Sequence, residues 1–353
     1  MGSTNLSIEA VNIQNVTTLV RQAVKEKEMA VNQKDRDRFL KLLNPSRKQY
    51  IQEQKRWFDD AVRYIDPGSF RLEVLQITPG KEHQVHVWVE QSYKKEGQRY
   101  AVKYPLLFQE TASGWKDSDV PFYYLSQDEV VVCYTDRHLL DPAAVASDAA
   151  TRAIRLFERK FNWQPQERIV VKLYDDPELF RQSVKLSLPD WAAGWYEAGQ
   201  SIKFIGDPKF SEEVLASGIV HEVTHQMVSE LSGDNAAYWL QEGAAEYYQA
   251  HLLPGLKGGE LAHQDVKREW TLKELEEKNL ERLSGEEARQ YYAQSYAWFR
   301  DLIKKHGEEK IGEVIALLAM QPAIDRDHTD KLSETNERTR VALQRVLGDF
   351  LDE

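Results

Sequence analysis

The spacing of apolar residues changes character partway along the chain, and that change predicts two kinds of element. Residues 1 to about 125 begin helix-rich, over 16–32, 35–43 and 46–64, and continue as strands over 70–78, 84–93 and 98–111. Alternation is visible at Val85, Val87 and Val89, and again at Val102, Tyr104, Leu106 and Phe108, the period of a half-buried strand. Pro79-Gly80 and Glu96-Gly97 mark the turns between them. Beyond them the order becomes strand, helix, strand: an apolar run over 130–134, a helix over about 142–161, and a strand over 169–174. The stretch 191–204 then reads as a hairpin turning near Ala198-Gly199.

Two helices follow. Over 211–231, Val214, Leu215, Gly218, Ile219 and Val223 recur at helical spacing. Ser211 suits the N-cap, Glu212 and Glu213 the first turn, and Ser232-Gly233 the end. The second helix is expected over 237–252, closed by Pro254-Gly255.

The candidate chemistry sits on these two helices. His221-Glu222-Val223-Thr224-His225 places two histidines four apart, so both imidazoles reach one side of the helix and can share a metal ion. Glu222 lies about 100° round the helix, placed to act on a water at the metal and not to ligate it. The pentamer alone arises by chance in roughly 2 of 100 chains of this length, so its context decides the matter. The alternative is a histidine pair on a solvated face or satisfied in a core. A third ligand is needed, and the metzincin pattern is excluded because Val228 and Leu231 stand where it requires Gly and His. Glu242 and Glu246 share a face of the second helix at i and i+4, where two carboxylates repel unless a cation or a histidine proton intervenes. Glu242 is therefore assigned to the metal. Glu246, one turn on, is assigned to the outer N–H of a ligating histidine, with a solvated helix charge as its alternative.

The pattern His-Glu-x-x-His-Gln followed by Trp239-Leu240-Gln241-Glu242-Gly243-Ala244-Ala245-Glu246-Tyr247 resembles the gluzincin metallopeptidases. It is most similar to the peptidase MA-like group, with aminopeptidase N and thermolysin more distant. The resemblance covers roughly residues 127 to 320. It implies that His221, His225 and Glu242 bind one zinc ion and that Glu222 is the general base. Sixteen residues separate His225 from Glu242 where the aminopeptidases keep eighteen, a difference that a shorter loop at 232–236 absorbs. The family also carries a Tyr-x-x-Gly/Ser helix start whose tyrosine donates to the oxyanion. Tyr292 best matches it and Tyr291 is the runner-up, the alternative being a core stripe with Tyr296 and Phe299. Gluzincins further pair substrate with an edge strand, which implicates Gly194, Trp195, Tyr196 and Glu197 in substrate binding. Aminopeptidases place Gly-Ala-Met-Glu-Asn there to hold a free amine. This chain lacks it, and Glu197 reads better as a turn residue than as an amine anchor.

The expected class is thus α+β. An N-terminal domain, 1–125, pairs helices with a curved antiparallel sheet and coarsely resembles nuclear-transport-factor-2-like or cystatin-like cones. A two-lobed gluzincin domain, 126–353, has a mixed-sheet upper lobe and a helical lower lobe. The expected function is a zinc peptidase, endopeptidase before aminopeptidase, acting on peptide or protein substrates. A non-peptidase zinc hydrolase is one alternative. A regulatory protein that binds a partner through its N-terminal domain is the other.

Composition narrows this further. A net charge of −11 argues against nucleic acid or an anionic membrane as partner. The single cysteine, Cys133, excludes a disulfide framework and a thiolate zinc site. No run of eighteen apolar residues exists to span a membrane. The opening Met1-Gly2-Ser3-Thr4 is polar, lacks a signal peptide and looks like a cloning remnant. The expectation is a bacterial extracytoplasmic protein, secreted or anchored, with its native N-terminus removed; the alternative is cytoplasmic.

Overall fold

The computed structural model describes residues 2–81, 83–207, 209–252, 266–324 and 331–348, with side chains from residue 14 onward. The expected helix stop at Pro254-Gly255 lies outside the described residues. The chain divides into two compact units, one of 1–123 with 175–188, the other of 124–174 with 189–353.

The first unit begins with α1 (Gly2–Gln33), α2 (Arg36–Leu40) and α3 (Lys48–Tyr64). An antiparallel sheet follows, in the order β1 (Arg71–Pro79), β2 (Gln84–Lys95), β3 (Gln98–Thr111), β4 (Gly114–Asp117). The alternation along β2 is realised: Val85, Val87 and Val89 are buried while Trp88 is exposed. Phe39, Trp57, Phe58 and Phe70 pack ring on ring in the core. Beside them a buried ion pair ties α1 to β4, with Lys27 Nζ 2.5 Å from Asp117 Oδ2. The Tyr50 hydroxyl donates to the same carboxylate at 3.1 Å. Removing one partner leaves the other charged and buried, so Lys27→Met should cost about 3–5 kcal/mol in chemical denaturation. A loss below about 1 kcal/mol would show that the pair is solvated.

Between 175 and 188 the chain returns to the first unit. This segment, Asp175 to Leu188, contains α5 (Pro177–Val184). The amide of Gln91 donates to Gln182 on α5, and Asp60 accepts from the backbone N–H of Ser187 at 3.0 Å and from its hydroxyl. Burial pushes the Asp60 carboxyl up, an effect the two Ser187 hydrogen bonds partly offset.

The second unit holds a five-stranded mixed sheet in the order β5 (Tyr123–Gln127), β6 (Val130–Tyr134), β7 (Ile169–Tyr174), β9 (Ile202–Ile205), β8 (Gly194–Trp195). β6, β7 and β9 run parallel, and β8 pairs antiparallel with β9 as the edge, Gly194 opposite Phe204. The helix α4 (Leu140–Phe161) joins β6 to β7. After the sheet come α6 (Glu212–Ser232), α7 (Tyr238–Leu252), α8 (Leu272–Glu276), α9 (Gly285–His306), α10 (Glu308–Ala319) and α11 (Lys331–Leu347). The molecule is mixed helix and sheet, as α+β requires. Among the described residues no helix is long and apolar enough to cross a membrane.

Candidate metal centre

Helix α6 forms where its caps dictate. The Ser211 hydroxyl accepts from the Val214 N–H at 3.3 Å, and Gly233, with φ +62°, ends the helix in the left-handed region that favours glycine. Its inner face, Leu215, Ile219, Val220, Val223 and Met227, is buried in the unit's core. That anchorage holds His221 and His225 toward α7 and Glu222 beneath β8.

Helix α7 closes on α9 more tightly than side chains would allow. A Cβ added at Gly243 would lie 2.5 Å from the Ser295 carbonyl oxygen and 2.8 Å from Phe299 Cβ. Alanine gains about 1 kcal/mol of helix propensity over glycine, but the obstacle here is backbone. Gly243→Ala should therefore destabilise by about 1–3 kcal/mol; a variant as stable as the parent would mean that α9 yields freely.

The two helices bring three ligand-type atoms together. His221 Nε2 and His225 Nε2 are 3.0 Å apart, and Glu242 Oε2 is 3.2 Å from each. These three residues form a cluster able to hold a metal ion. The Glu242 Oε2 atom is buried with no hydrogen bond directed at it. Three lone-pair donors at this separation repel unless a cation or a proton lies between them. A tetrahedral zinc with bonds of about 2.0–2.2 Å sets its ligand atoms roughly 3.3–3.6 Å apart, so the triangle is within a few tenths of an ångström of that geometry. The donor set, two imidazoles and one carboxylate, also suits zinc and leaves a fourth position open. The residues fit the ion.

Electrostatics point the same way. Burial works to raise the Glu242 carboxyl, yet the His225 and His221 imidazoles beside it draw it down to about 2. Burial likewise opposes charge on His221, but the adjoining Glu242 and Glu246 carboxylates overcome it and lift the ring well above its ordinary value. The site is thus built to stabilise positive charge at its centre.

Around the triad the other expected residues take different places. Glu222 is buried, and burial pushes its carboxyl up, with His221 and His225 opposing. It lies directly under the edge strand: a Cβ on Gly194 would come within 2.5 Å of Glu222 Oε1. Glu246 Oε1 is 3.4 Å from His221 Nδ1. The Tyr292 ring centroid is 6.0 Å from that of His221 and 6.1 Å from that of Trp191. Burial, reinforced by Glu242, Glu246 and Glu222, raises the Tyr292 hydroxyl far above its ordinary range, so it keeps its proton. Tyr291 is buried in the core instead. Both tyrosines sit in the second turn of α9 and not at a helix start, because the Ser284–Glu287 capping box begins the helix earlier.

Of the four hairpin residues, Gly194 is brought against Glu222. The indole N–H of Trp195 donates to Glu197 Oε1 at 3.1 Å, and the Gln200 amide donates to Glu197 Oε2 at 3.2 Å. Both residues are thereby engaged in closing the turn that Gly199, at φ +77°, makes possible. Tyr196 has Glu230 and Asp234 as its charged neighbours, toward the C-terminal end of α6.

Two residues beside the triad escape the motif reading. Gln249 Oε1 lies 3.2 Å from His221 Nδ1. Trp191 packs edge-on against Tyr292 and is fixed by its indole N–H to the Leu283 carbonyl at 3.0 Å. For Gln249 the signal was its position seven residues after Glu242, two turns on along the same face. Trp191 had no such signal.

Comparison with known proteins adds little. No protein-family model matches the chain, and no curated protein matches it. Among solved structures, yeast LTA4 hydrolase in complex with bestatin aligns at a TM-score of 0.41 and 14% identity, over 80% of this chain and 43% of that one. The chain thus spans less than half of that protein's length, and a likeness this slight carries no argument about fold or chemistry.

Proposed function

We propose that this chain is a zinc-dependent hydrolase of peptide bonds. The observation that carries the reading is the triangle of His221, His225 and Glu242 atoms at 3.0–3.2 Å, with a buried carboxylate oxygen lacking a hydrogen bond and Glu222 alongside. A zinc ion held by these three residues supplies Lewis acidity toward a carbonyl oxygen and lowers the pKa of a water. Glu222 then accepts a proton from the attacking water at its carboxylate and returns it to the departing nitrogen. Tyr292 keeps its proton and donates to the carbonyl oxygen as that atom gains charge. β8, the edge strand over Glu222, is the element that would pair with an extended peptide.

Endopeptidase-like cleavage is part of the same reading. Capturing a free amine requires a carboxylate to meet the ammonium, whose desolvation otherwise costs several kcal/mol. Glu197, the acidic residue of the hairpin, is already engaged by Trp195 and Gln200.

The test is a panel of unstructured proteins and blocked peptides, incubated with enzyme before and after chelation and after zinc is restored. Cleavage should disappear with the metal and return with it, and the metal-free protein should melt at a lower temperature. N-acetylation of a good substrate should change kcat/KM by less than about tenfold, or 1.4 kcal/mol. Failure to retain zinc at one ion per chain would sink the proposal. Abolition of cleavage by N-acetylation would replace the endopeptidase with an aminopeptidase.

A further inference from the structure

His221 presents its second ring nitrogen, Nδ1, to two acceptors on α7. Gln249 Oε1 is 3.2 Å away and Glu246 Oε1 is 3.4 Å away. These two are themselves linked, because Gln249 Nε2 donates to Glu246 Oε2 at 3.0 Å. Glu242, Glu246 and Gln249 are spaced four and three residues apart, so all three share one face of the helix.

The link removes an ambiguity that a lone amide would leave. A carboxylate can only accept, so the NH2 end of Gln249 must face Glu246. Turning the amide over would set its oxygen against the Glu246 carboxylate and its NH2 against the imidazole, losing one hydrogen bond and adding a repulsion. With the NH2 end committed, the carbonyl end faces His221, and Nδ1 must carry a hydrogen to satisfy it. A neutral imidazole protonated at Nδ1 has its lone pair on Nε2, the atom that points into the triangle with His225 and Glu242.

Resting on the metal-site reading above, we infer that Gln249 is a positioning residue for the metal centre. Its amide fixes the Glu246 carboxylate with one end and the His221 tautomer with the other, so that ring, carboxylate and amide act as one unit. A glutamate at this place would set two carboxylates against each other; an apolar residue would remove the hydrogen bond that Gln249 gives to Glu246 Oε2.

The experiment measures zinc affinity by competition with a chromophoric chelator for the full chain and for Gln249→Met, Glu246→Ala and the double variant. The melting temperature of each metal-free protein is recorded alongside. Gln249 is half-buried, so methionine fits without opening a cavity. The expected result is a loss of about tenfold or more in zinc affinity for Gln249→Met, within the 10- to 100-fold usual for groups that orient a ligand. The double variant should lose little more than the worse single variant, since the two residues act together. The metal-free melting temperature of Gln249→Met should stay near that of the parent, which a merely structural role would not allow. Should Gln249→Met fail to fold, Gln249→Asn, an amide one methylene too short to reach both partners, is expected to show the same loss. Zinc affinity within twofold of the parent, or a double variant whose loss is the product of the two single losses, overturns the inference and leaves the metal site standing. A parent chain that binds no zinc overturns the metal site and this inference together.

Discussion

Glu222→Gln keeps its zinc and loses at least about 10²-fold in turnover. Glutamine has nearly the shape of glutamate, so the packing beneath Gly194 is preserved and neither histidine is disturbed. What disappears is the ability to take a proton, and a positioned general base typically contributes 10²- to 10⁴-fold. The prediction separates catalysis from binding because Glu222 is not one of the three atoms in the triangle. Metal content by atomic emission and kcat on one peptide, measured on the same preparation, decide it. A zinc-loaded Glu222→Gln protein with parental turnover removes Glu222 from the mechanism. One that has lost its zinc makes Glu222 a ligand.

The second large effect concerns the metal itself. Glu242→Ala deletes the oxygen that lies 3.2 Å from both imidazole nitrogens and leaves two neutral ligands. Its zinc affinity should fall by several orders of magnitude, to the point where the purified protein holds no stoichiometric metal. Glu246→Ala removes a group that meets His221 at its outer nitrogen and lies outside the triangle, and the expected fall is about 10- to 100-fold. Chelator competition on both variants reads the contrast. Equal losses, or a larger one for Glu246→Ala, would reverse the two assignments.

These expectations were open to reading in the chain because α6 and α7 are regular. Two histidines and two glutamates at four-residue spacing must share faces whatever surrounds the helices. The caps at Ser211 and Gly233 were equally readable, since a hydroxyl and a glycine have local reasons to sit there. Strand β2 was visible for the same kind of reason, one face apolar and the other not. Pieces too short to show a period were lost. β4 has four residues and β5 is mostly exposed. Helix α5 carried a signal that went unread: the Asp176 side chain caps it at 2.7 Å and Pro177 starts it. A two-residue strand does not reveal in the sequence which way each side chain points. Glu197 and Trp195 turned to each other, and Tyr196 toward α6. Gln249 went unnoticed because an uncharged amide carries no motif, and its meaning depends on a proton held by a ring on another helix.

The return of Asp175–Leu188 to the first unit has a consequence for how the protein must be made. A ribosome delivers the chain at about 5–20 residues per second, and residues 1–123 emerge long before α5 exists. Until then Gln91 and Asp60 lack Gln182 and Ser187, and an uncompensated buried polar group costs about 1–3 kcal/mol. Meanwhile β5, β6, α4 and β7 of the second unit leave the exit tunnel first. Assembly is therefore interleaved and not vectorial, with the earlier unit waiting on a piece that follows the first part of the later one in sequence. A nascent chain arrested before residue 175 should be protease-sensitive throughout its first unit, and one arrested after α5 has cleared the tunnel should be resistant.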